Sequence, residues 1–468
     1  MANRIVRIES ITIENFKNVT QGTLDFKNKR KDYKASVLGL YGQNGSGKTA
    51  LIDAIQLLKF ALCGKAIPKK YADYINVDAE YATLKYELVV RYAEITYNVW
   101  YQFSMRKVID ESATSSDEMA NANITTKVEM FDEVLSFSYE SETDKMRKAP
   151  LIDTRTEELF APKAKMQELV GDDKEKYMDL LVTKRLTKAT SRSFVFSREL
   201  INQYRQSCKN ELYMKVIEAL YTFGNRELFI IDTESIGLIS LNTLPLTFKY
   251  KHGVSETYGS LLLSLNGPTL IPEDMYGVVE NVIANMNIVL EQLVPGLRIG
   301  VVDLGSAMTK DGKIAKQIQL MSLKNNKQIP FCYESEGIKK IVSVLQLLIV
   351  VYNNPSVTVA IDELDGGVFE YLLGEMLNII SKKGKGQLIF TSHNLRPLET
   401  IDKGFIAFTT TNPKMRYIRL TNVKGTNNLR DFYYRDIVLG EQSEQVYNPT
   451  NNFEIALAFR EAGEAFGS

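Results

Sequence analysis

Eight consecutive residues carry the densest chemistry in the chain: Gly42-Gln43-Asn44-Gly45-Ser46-Gly47-Lys48-Thr49. Gly42, Gly47, Lys48 and Thr49 satisfy the pattern G-x-x-x-x-G-K-[ST]. The residue types fit phosphate binding. Glycines let the backbone curl, so that N–H groups along Asn44, Gly45, Ser46 and Gly47 can point at one phosphate. A helix starting at the lysine adds a dipole that favours anions. Lys48 can reach the β- and γ-phosphates, and the Thr49 hydroxyl can ligate Mg²⁺. The ligands implied are ATP and Mg²⁺. The plain alternative is a glycine-rich turn between a strand and a helix, without a ligand.

A phosphate loop of this kind needs a carboxylate to hold the metal. Val357 to Ile361 is a short apolar run that ends on Asp362-Glu363. In parallel sheets ligands gather beyond the carboxyl ends of the strands. There Asp362 can bind Mg²⁺ through water, and Glu363 can take a proton from the attacking water. An acidic pair that merely ends a strand and caps a helix would look the same in isolation. One apolar run later comes Thr391-Ser392-His393-Asn394. His393 can donate a hydrogen bond to a γ-phosphate from that position. Before both stands Ser335-Glu336-Gly337, at the head of a long apolar segment. A hydroxyl, a bare glycine and a helix N-terminus suit a phosphate, although Ser335 would equally serve as a simple N-cap.

Strands and helices must hold these groups. Val37 to Tyr41 predicts a buried strand before the loop, and Leu51, Ile52, Ile55 and Leu58 predict the helix after it. Ile5 to Phe26 alternates as two strands around a polar turn. Asn28 to Lys34 reads as a solvated hairpin tip, and Ala79 to Met105 as antiparallel strands. Asp110 to Asn123 is polar and predicts a mobile loop, followed by a strand over Thr126 to Tyr139. Composition shifts near Ala149. From Thr156 to Leu220 the pattern is helical, with stripes Met178, Leu181, Val182 and Leu212, Val216, Ile217, Leu220. Phe229 to Leu265 returns to strands, and Glu273 to Leu293 is an amphipathic helix ended by Pro295-Gly296. The last third alternates: helix Ser335 to Tyr352, strand Val357 to Ile361, helix Val368 to Ser381, strand Gln387 to Thr391, a short helix near Arg396, then strands Phe405 to Thr409 and Tyr417 to Leu420. Strand–helix alternation implies a parallel sheet with right-handed crossovers. The expected division is an N-terminal lobe over 1–150, a mainly helical insertion over 151–300 and a C-terminal lobe over 301–468.

Composition narrows the function. Lys+Arg and Asp+Glu both number 57 in 468 residues, so the chain has no net charge and bulk electrostatics argues for no polyanionic partner. One local basic cluster stands out, Lys184, Arg185, Lys188, Arg192 and Arg198; charge runs of this kind are usually solvated helix faces. The cysteines Cys63, Cys208 and Cys332 form no metal-binding pair, which suggests a reducing compartment. With only His252 and His393, a histidine-rich metal site is excluded. The N-terminus shows no secretory pattern, and the most apolar run, near Val342 to Tyr352, is too short for a bilayer. A cytoplasmic protein with no membrane contact is expected.

In chain order, the Ile11-Thr-Ile-Glu-Asn-Phe-Lys17 opening, the Gly42 to Thr49 loop, Ser335-Glu336-Gly337-Ile338-Lys339-Lys340, Ile361-Asp362-Glu363-Leu364-Asp365 and Thr391-Ser392-His393 resemble an ABC-type ATPase head of the SMC/RecF/OLD kind. The resemblance implies an α/β fold, with a mixed sheet plus an antiparallel β part and an inserted helical subdomain. It implies ATP hydrolysis in a homodimer or higher homo-oligomer, with Ser335 and Gly337 on the partner's γ-phosphate and Asp365 opening the loop at the dimer seam. The signature departs from the Leu-Ser-Gly-Gly-Gln of SMC proteins, and the family's Q-loop glutamine has no assigned position between Tyr71 and Gln167. The size and the Ser-Glu-Gly-Ile-Lys-Lys pattern look most like ATPase subunits of bacterial anti-phage systems: OLD-like, Septu, PARIS and abortive-infection types. The stretch after Leu420 is too short for the TOPRIM nuclease of OLD proteins, and no HNH pattern is present. A sensor or scaffold with a separate effector, a nuclease or toxin, is therefore expected. The alternative is a RecF- or SMC-like repair or chromosome ATPase that contacts DNA.

Overall fold

In the computed structural model, which describes residues 4–27, 35–110, 125–252, 255–308, 311–325, 327–421, 428–440 and 442–464, the run before the glycine-rich loop is β3 (Ser36–Tyr41). It lies inside a sheet with β8 (Leu228–Ile231), β15 (Thr358–Ile361), β16 (Gln387–Thr391), β17 (Ile406–Thr409) and β18 (Tyr417–Ile418), in the order β18-β17-β3-β16-β15-β8. All neighbours pair in parallel except β17 with β18. Residues on these strands alternate between two cores. Leu38, Leu40, Ala360, Ile389 and Ala407 face one. Val37, Tyr41, Val359, Ile361, Leu388, Phe390, Ile406 and Phe408 face the other. A sheet covered on both faces explains why these strands read as continuous apolar runs.

The first core joins the parallel sheet to α1 (Lys48–Leu62) and to an antiparallel sheet of order β2-β1-β4-β5-β6-β7. Its strands are β1 (Ile5–Phe16), β2 (Val19–Asp25), β4 (Tyr81–Arg91), β5 (Ile95–Ile109), β6 (Thr126–Ser141) and β7 (Lys145–Asp153). Gln387, buried in β16, stitches the two sheets. Its amide donates to Ile8 O (2.8 Å) and accepts from Ile8 N (3.0 Å) and the Thr358 hydroxyl (3.0 Å). The expected hairpin tip over 28–34 and most of the expected mobile loop lie outside the described residues. Asp110 is described, and it is buried and ion-paired with Lys69 and Lys127 rather than solvated.

The expected division at residue 150 falls inside β7. Beyond it come α2 (Lys163–Val170), α3 (Lys174–Ala189), α4 (Arg198–Ser207) and α5 (Glu211–Thr222). Asp173, Ser197 and Asn210 cap α3, α4 and α5 by accepting from N–H groups of the first turn. On α5, Val216, Ile217 and Leu220 are buried as the stripe predicts. On α3 the stripe is corrected: Met178 and Val182 are 59% and 54% exposed, and Leu180 and Thr187 form the buried side. The sequence then leaves the expected insertion early. β8 joins the parallel sheet beside β15.

A third layer covers the second core. It holds α6 (Thr233–Ser240), the hairpin of β9 (Thr243–His252) with β10 (Ser255–Ser264), and α7 (Glu273–Leu293). A small sheet follows, of order β11-β13-β12 with β14 on β13: β11 (Thr269–Pro272), β12 (Leu297–Met308), β13 (Ile314–Lys324) and β14 (Lys327–Pro330). Then come α8 (Glu336–Asn353), α9 (Glu370–Lys383), the short α10 (Pro397–Thr400), α11 (Leu429–Leu439) and the exposed α12 (Asn452–Glu464). Among the described residues no helix is long and apolar enough to cross a membrane.

Candidate active site

β3 ends at Tyr41, and the chain turns through the glycine-rich loop into α1. Gly47 caps the helix with φ +95°, a left-handed conformation that glycine adopts without a side-chain penalty. Gly42 is required by close approach: a Cβ there would lie 1.8 Å from the Thr409 hydroxyl. The loop is braced from several elements. Ser46 donates to Gln43 O (2.5 Å) and shares a hydrogen bond with Thr409. The Tyr417 hydroxyl donates to Gly47 O (2.9 Å), and Asn18 donates its side-chain amide to Gly45 O. Arg416 donates to Asn18 O (2.5 Å) and Thr410 O (2.7 Å). Lys17 pairs with Asp53 on α1 and lies 4.0 Å from the centre of the Tyr74 ring.

Lys48 is buried and donates to Gly42 O (2.8 Å) and Gln43 O (3.0 Å), two carbonyls of its own loop. Burial holds its ammonium below the ordinary lysine value, against the opposing pull of Asp362, Glu363 and Asp365. A phosphate in the loop offers this cation a stronger, charged acceptor.

The strand order sets the rest of the site. β16 lies between β3 and β15, so the loops leaving all three strands open on one side. Ladder bonds continue past the strand ends: Asp362 N donates to Ile231 O (2.9 Å), Leu364 N to Thr391 O (3.0 Å) and Ser392 N to Leu40 O (3.3 Å). Asp362 is 1% exposed, and its two oxygens accept from the Thr391 and Thr233 hydroxyls. The Thr391 hydroxyl also accepts the Glu363 N–H (2.8 Å) and so joins both carboxylate residues. Glu363 adopts φ +45°, a left-handed backbone that costs a residue with a side chain about 1–2 kcal/mol. Asp365 accepts from the backbone N–H groups of His393 (3.0 Å) and Asn394 (2.9 Å) and fixes the turn that carries the histidine.

Lys17, Asn18, Asn44, Gly45, Gly47, Lys48, Thr49, Asp362, Glu363 and His393 line one cleft of about 270 Å³. Ser46 braces the loop from beneath. Ser335 and Gly337 do not line this cleft. Ser335 caps α8 by accepting from Ile338 N (3.3 Å). Gly337 packs against the loop after Asp365, where a Cβ would stand 2.1 Å from Gly367 O. Lys17, Asn18, Thr391, Thr233, Arg416 and Tyr417 were not singled out by motif reasoning. Two of them, Lys17 and Thr391, fell inside recognised motifs without a role.

Residues 10–215 match the family model described as AAA domain. No curated protein matches the chain. Among solved structures the chain is similar to an SMC head bound to the C-winged helix domain of ScpA, at 12% identity and TM-score 0.40, covering 89% of this chain and 98% of that one. It is similar to the SMC head domain from Thermotoga maritima, at 14% and 0.37, covering 88% and 99%. A third likeness is to the recombination mediator protein RecF-ATPrS in the RecFOR pathway, at 12% and 0.34, covering 89% and 98%. The chain folds as a P-loop ATPase head. Its enzyme class is ATP hydrolase. Thr49 and the immobilised Asp362 carboxylate in the same cleft suit Mg²⁺, which takes few protein ligands and completes its shell with water and phosphate oxygens. When bound there, the ion would neutralise charge on the β- and γ-phosphate oxygens.

Proposed function

We propose that this ATPase head closes around ATP as a homodimer or higher homo-oligomer. It acts in the cytoplasm as sensor or scaffold subunit of a bacterial anti-phage defence system and controls a separate nuclease or toxin. Within one subunit Asn44 to Gly47 cradle the phosphates and Lys48 supplies positive charge. Thr49 and Asp362 hold Mg²⁺, Glu363 accepts a proton from water, and His393 donates to the γ-phosphate. The observation that carries the dimer is the position of Ser335 and Gly337. These signature residues head α8 but stay out of the cleft that their own P-loop, acidic pair and histidine form, so they are free to meet a second copy's phosphate. The defence role is supported by the motif resemblance.

Sedimentation of Glu363→Gln with Mg²⁺ tests the assembly. A monomer without nucleotide and a dimer with ATP are expected; identical sedimentation with and without ATP removes the dimer. Phage plating on cells that carry the protein with its neighbouring genes tests the role. Protection lost with Lys48→Ala supports defence. A second reading, a RecF- or SMC-like repair ATPase, is favoured by the cations on α3. Repair sensitivity of a deletion strain, with unchanged phage plating, would select it.

A further inference from the structure

A second cleft, of about 560 Å³, lies between the antiparallel sheet and α3 and shares no lining residue with the nucleotide site. Six cations line it: Arg106, Arg155, Lys184, Arg185, Lys188 and Arg192. Arg198, the fifth member of the sequence cluster, begins α4 and is not among the lining residues. The six differ in how far they are already satisfied. Arg106 and Lys188 pair with Glu129, and Arg155 with Asp153. The Lys184 ammonium donates to two neutral carbonyls, Thr156 O and Glu158 O, both at 2.7 Å. Among the described residues Arg185 and Arg192 have no acidic partner. They contribute exposed guanidinium groups that can form bidentate bonds to phosphate.

The acidic residues of the lining do not cancel this. Glu133 is buried, and its carboxylate is consumed by the Tyr101 hydroxyl (2.8 Å), the Ser193 hydroxyl (2.5 Å) and Phe194 N–H (2.6 Å). That network fixes the residues just after Arg192 onto the sheet. Asp132 and Glu157 remain as the other acidic groups of the lining. The lining also holds apolar groups, among them Leu181 and Phe131, with the Arg106 guanidinium 5.4 Å from the Phe131 ring centre. Cations beside an aromatic ring suit a ligand with a phosphate at one end and a planar ring at the other. The cations line a concavity, and its volume falls in the range of about 300–1,000 Å³ typical of small-molecule clefts. A nucleic-acid strand would call instead for an open basic track.

We infer that this cleft is a second ligand site, which takes a nucleotide-sized phosphorylated molecule distinct from the ATP at the P-loop. The test uses the full chain carrying Lys48→Ala, which empties the first site and makes the result independent of the proposed ATP cycle. The probes are a fluorescein-labelled phosphorylated thymidine dinucleotide and an oligothymidylate strand, read by fluorescence anisotropy. Saturable dinucleotide binding is expected. It should weaken at least about tenfold in Arg185→Glu and again in Arg192→Glu, as loss of a charge-assisted phosphate contact predicts. Both residues are exposed, so the thermal midpoint should hold; Arg185→Ala is the milder variant if it does not. Absence of dinucleotide binding, or binding indifferent to both reversals, overturns the site. Strand binding far tighter than dinucleotide binding, with a steep salt slope, overturns the small-molecule assignment and makes the cleft part of a nucleic-acid track.

Discussion

At the scale of single residues, two side chains should separate binding from chemistry. Lys48 is held by loop carbonyls and can turn onto phosphate oxygens with little movement. Lys48→Ala is expected to lower ATP affinity at least about a hundredfold, near 3 kcal/mol, by titration calorimetry. Unchanged affinity would refute the P-loop role. Glu363 presents a carboxylate to the same cleft from a strained backbone position. Glu363→Gln keeps the shape but cannot accept a proton, so ATP affinity should persist while turnover falls by about 10²–10⁴. Wild-type turnover in that variant would move the base elsewhere. These residues were legible because each sits in a short motif whose spacing is itself the chemistry. Thr391 was not legible as a link between Asp362 and Glu363. Its partners lie a whole helix away in sequence, and only the pairing of β15 with β16 brings them together. Arg416 and Tyr417 were hidden for the same reason: they brace the P-loop from the far end of the chain.

At the scale of elements, α8 and the loop after β15 behave as one unit. Gly337 and Lys340 are spaced to share a helix face, and a Cβ on Gly337 would strike Gly367 O at 2.1 Å. Gly337→Ala must push the helix from the loop. We expect a loss of about 1–3 kcal/mol in stability and at least tenfold in turnover, with ATP affinity kept. Full turnover by a steady-state assay would show that the contact is not needed for hydrolysis. Lys340 adds a pH dependence. The residue is 2% exposed, and burial lowers its pKa to about 8 from 10.5, although Asp365, Glu363 and Asp362 pull the other way. Between those values the unfolded chain holds a proton that the folded chain has released. Stability of the nucleotide-free protein therefore gains from this group as pH rises, by about 1.4 kcal/mol per unit, and the burial penalty is fully felt below the window. The urea midpoint of wild type should rise relative to that of Lys340→Met from pH 8 upward; parallel curves would reject the assignment. Helix and strand positions were legible wherever one periodicity ran unbroken, as in α7. Of the α3 stripe only Leu181 packs against the core; Met178 and Val182 were misread because the helix packs through Leu180, and apolar neighbours on one turn need not share its buried side. The strand reading of Phe229 to Leu265 holds for β8, β9 and β10 but not for α6 between them, and the place of β8 in the parallel sheet was hidden because its partner β15 lies far along the chain.

At the scale of the whole molecule, the open question of geometry is whether each ATP is held by one chain or two. The cleft gathers a P-loop, an acidic pair and a histidine from distant parts of the sequence, yet leaves Ser335 outside. If Ser335 instead completes the partner's site, Ser335→Arg should leave its own P-loop able to bind ATP while blocking closure by bulk and by repulsion from Lys48 and Mg²⁺. Lys48→Ala fails for the opposite reason. In a mixed dimer the two lesions then fall together on one composite site, and the other site inherits neither. Mixing two inactive proteins should restore part of the ATPase activity, approaching about a quarter of wild type per subunit if association is random and one site can fire alone. Native mass spectrometry of the mixture establishes that mixed dimers form. Formation without any recovery would mean that the sites are not shared or must fire together. Normal hydrolysis by Ser335→Arg as a monomer would reduce Ser335 to the N-cap it already is within its own subunit.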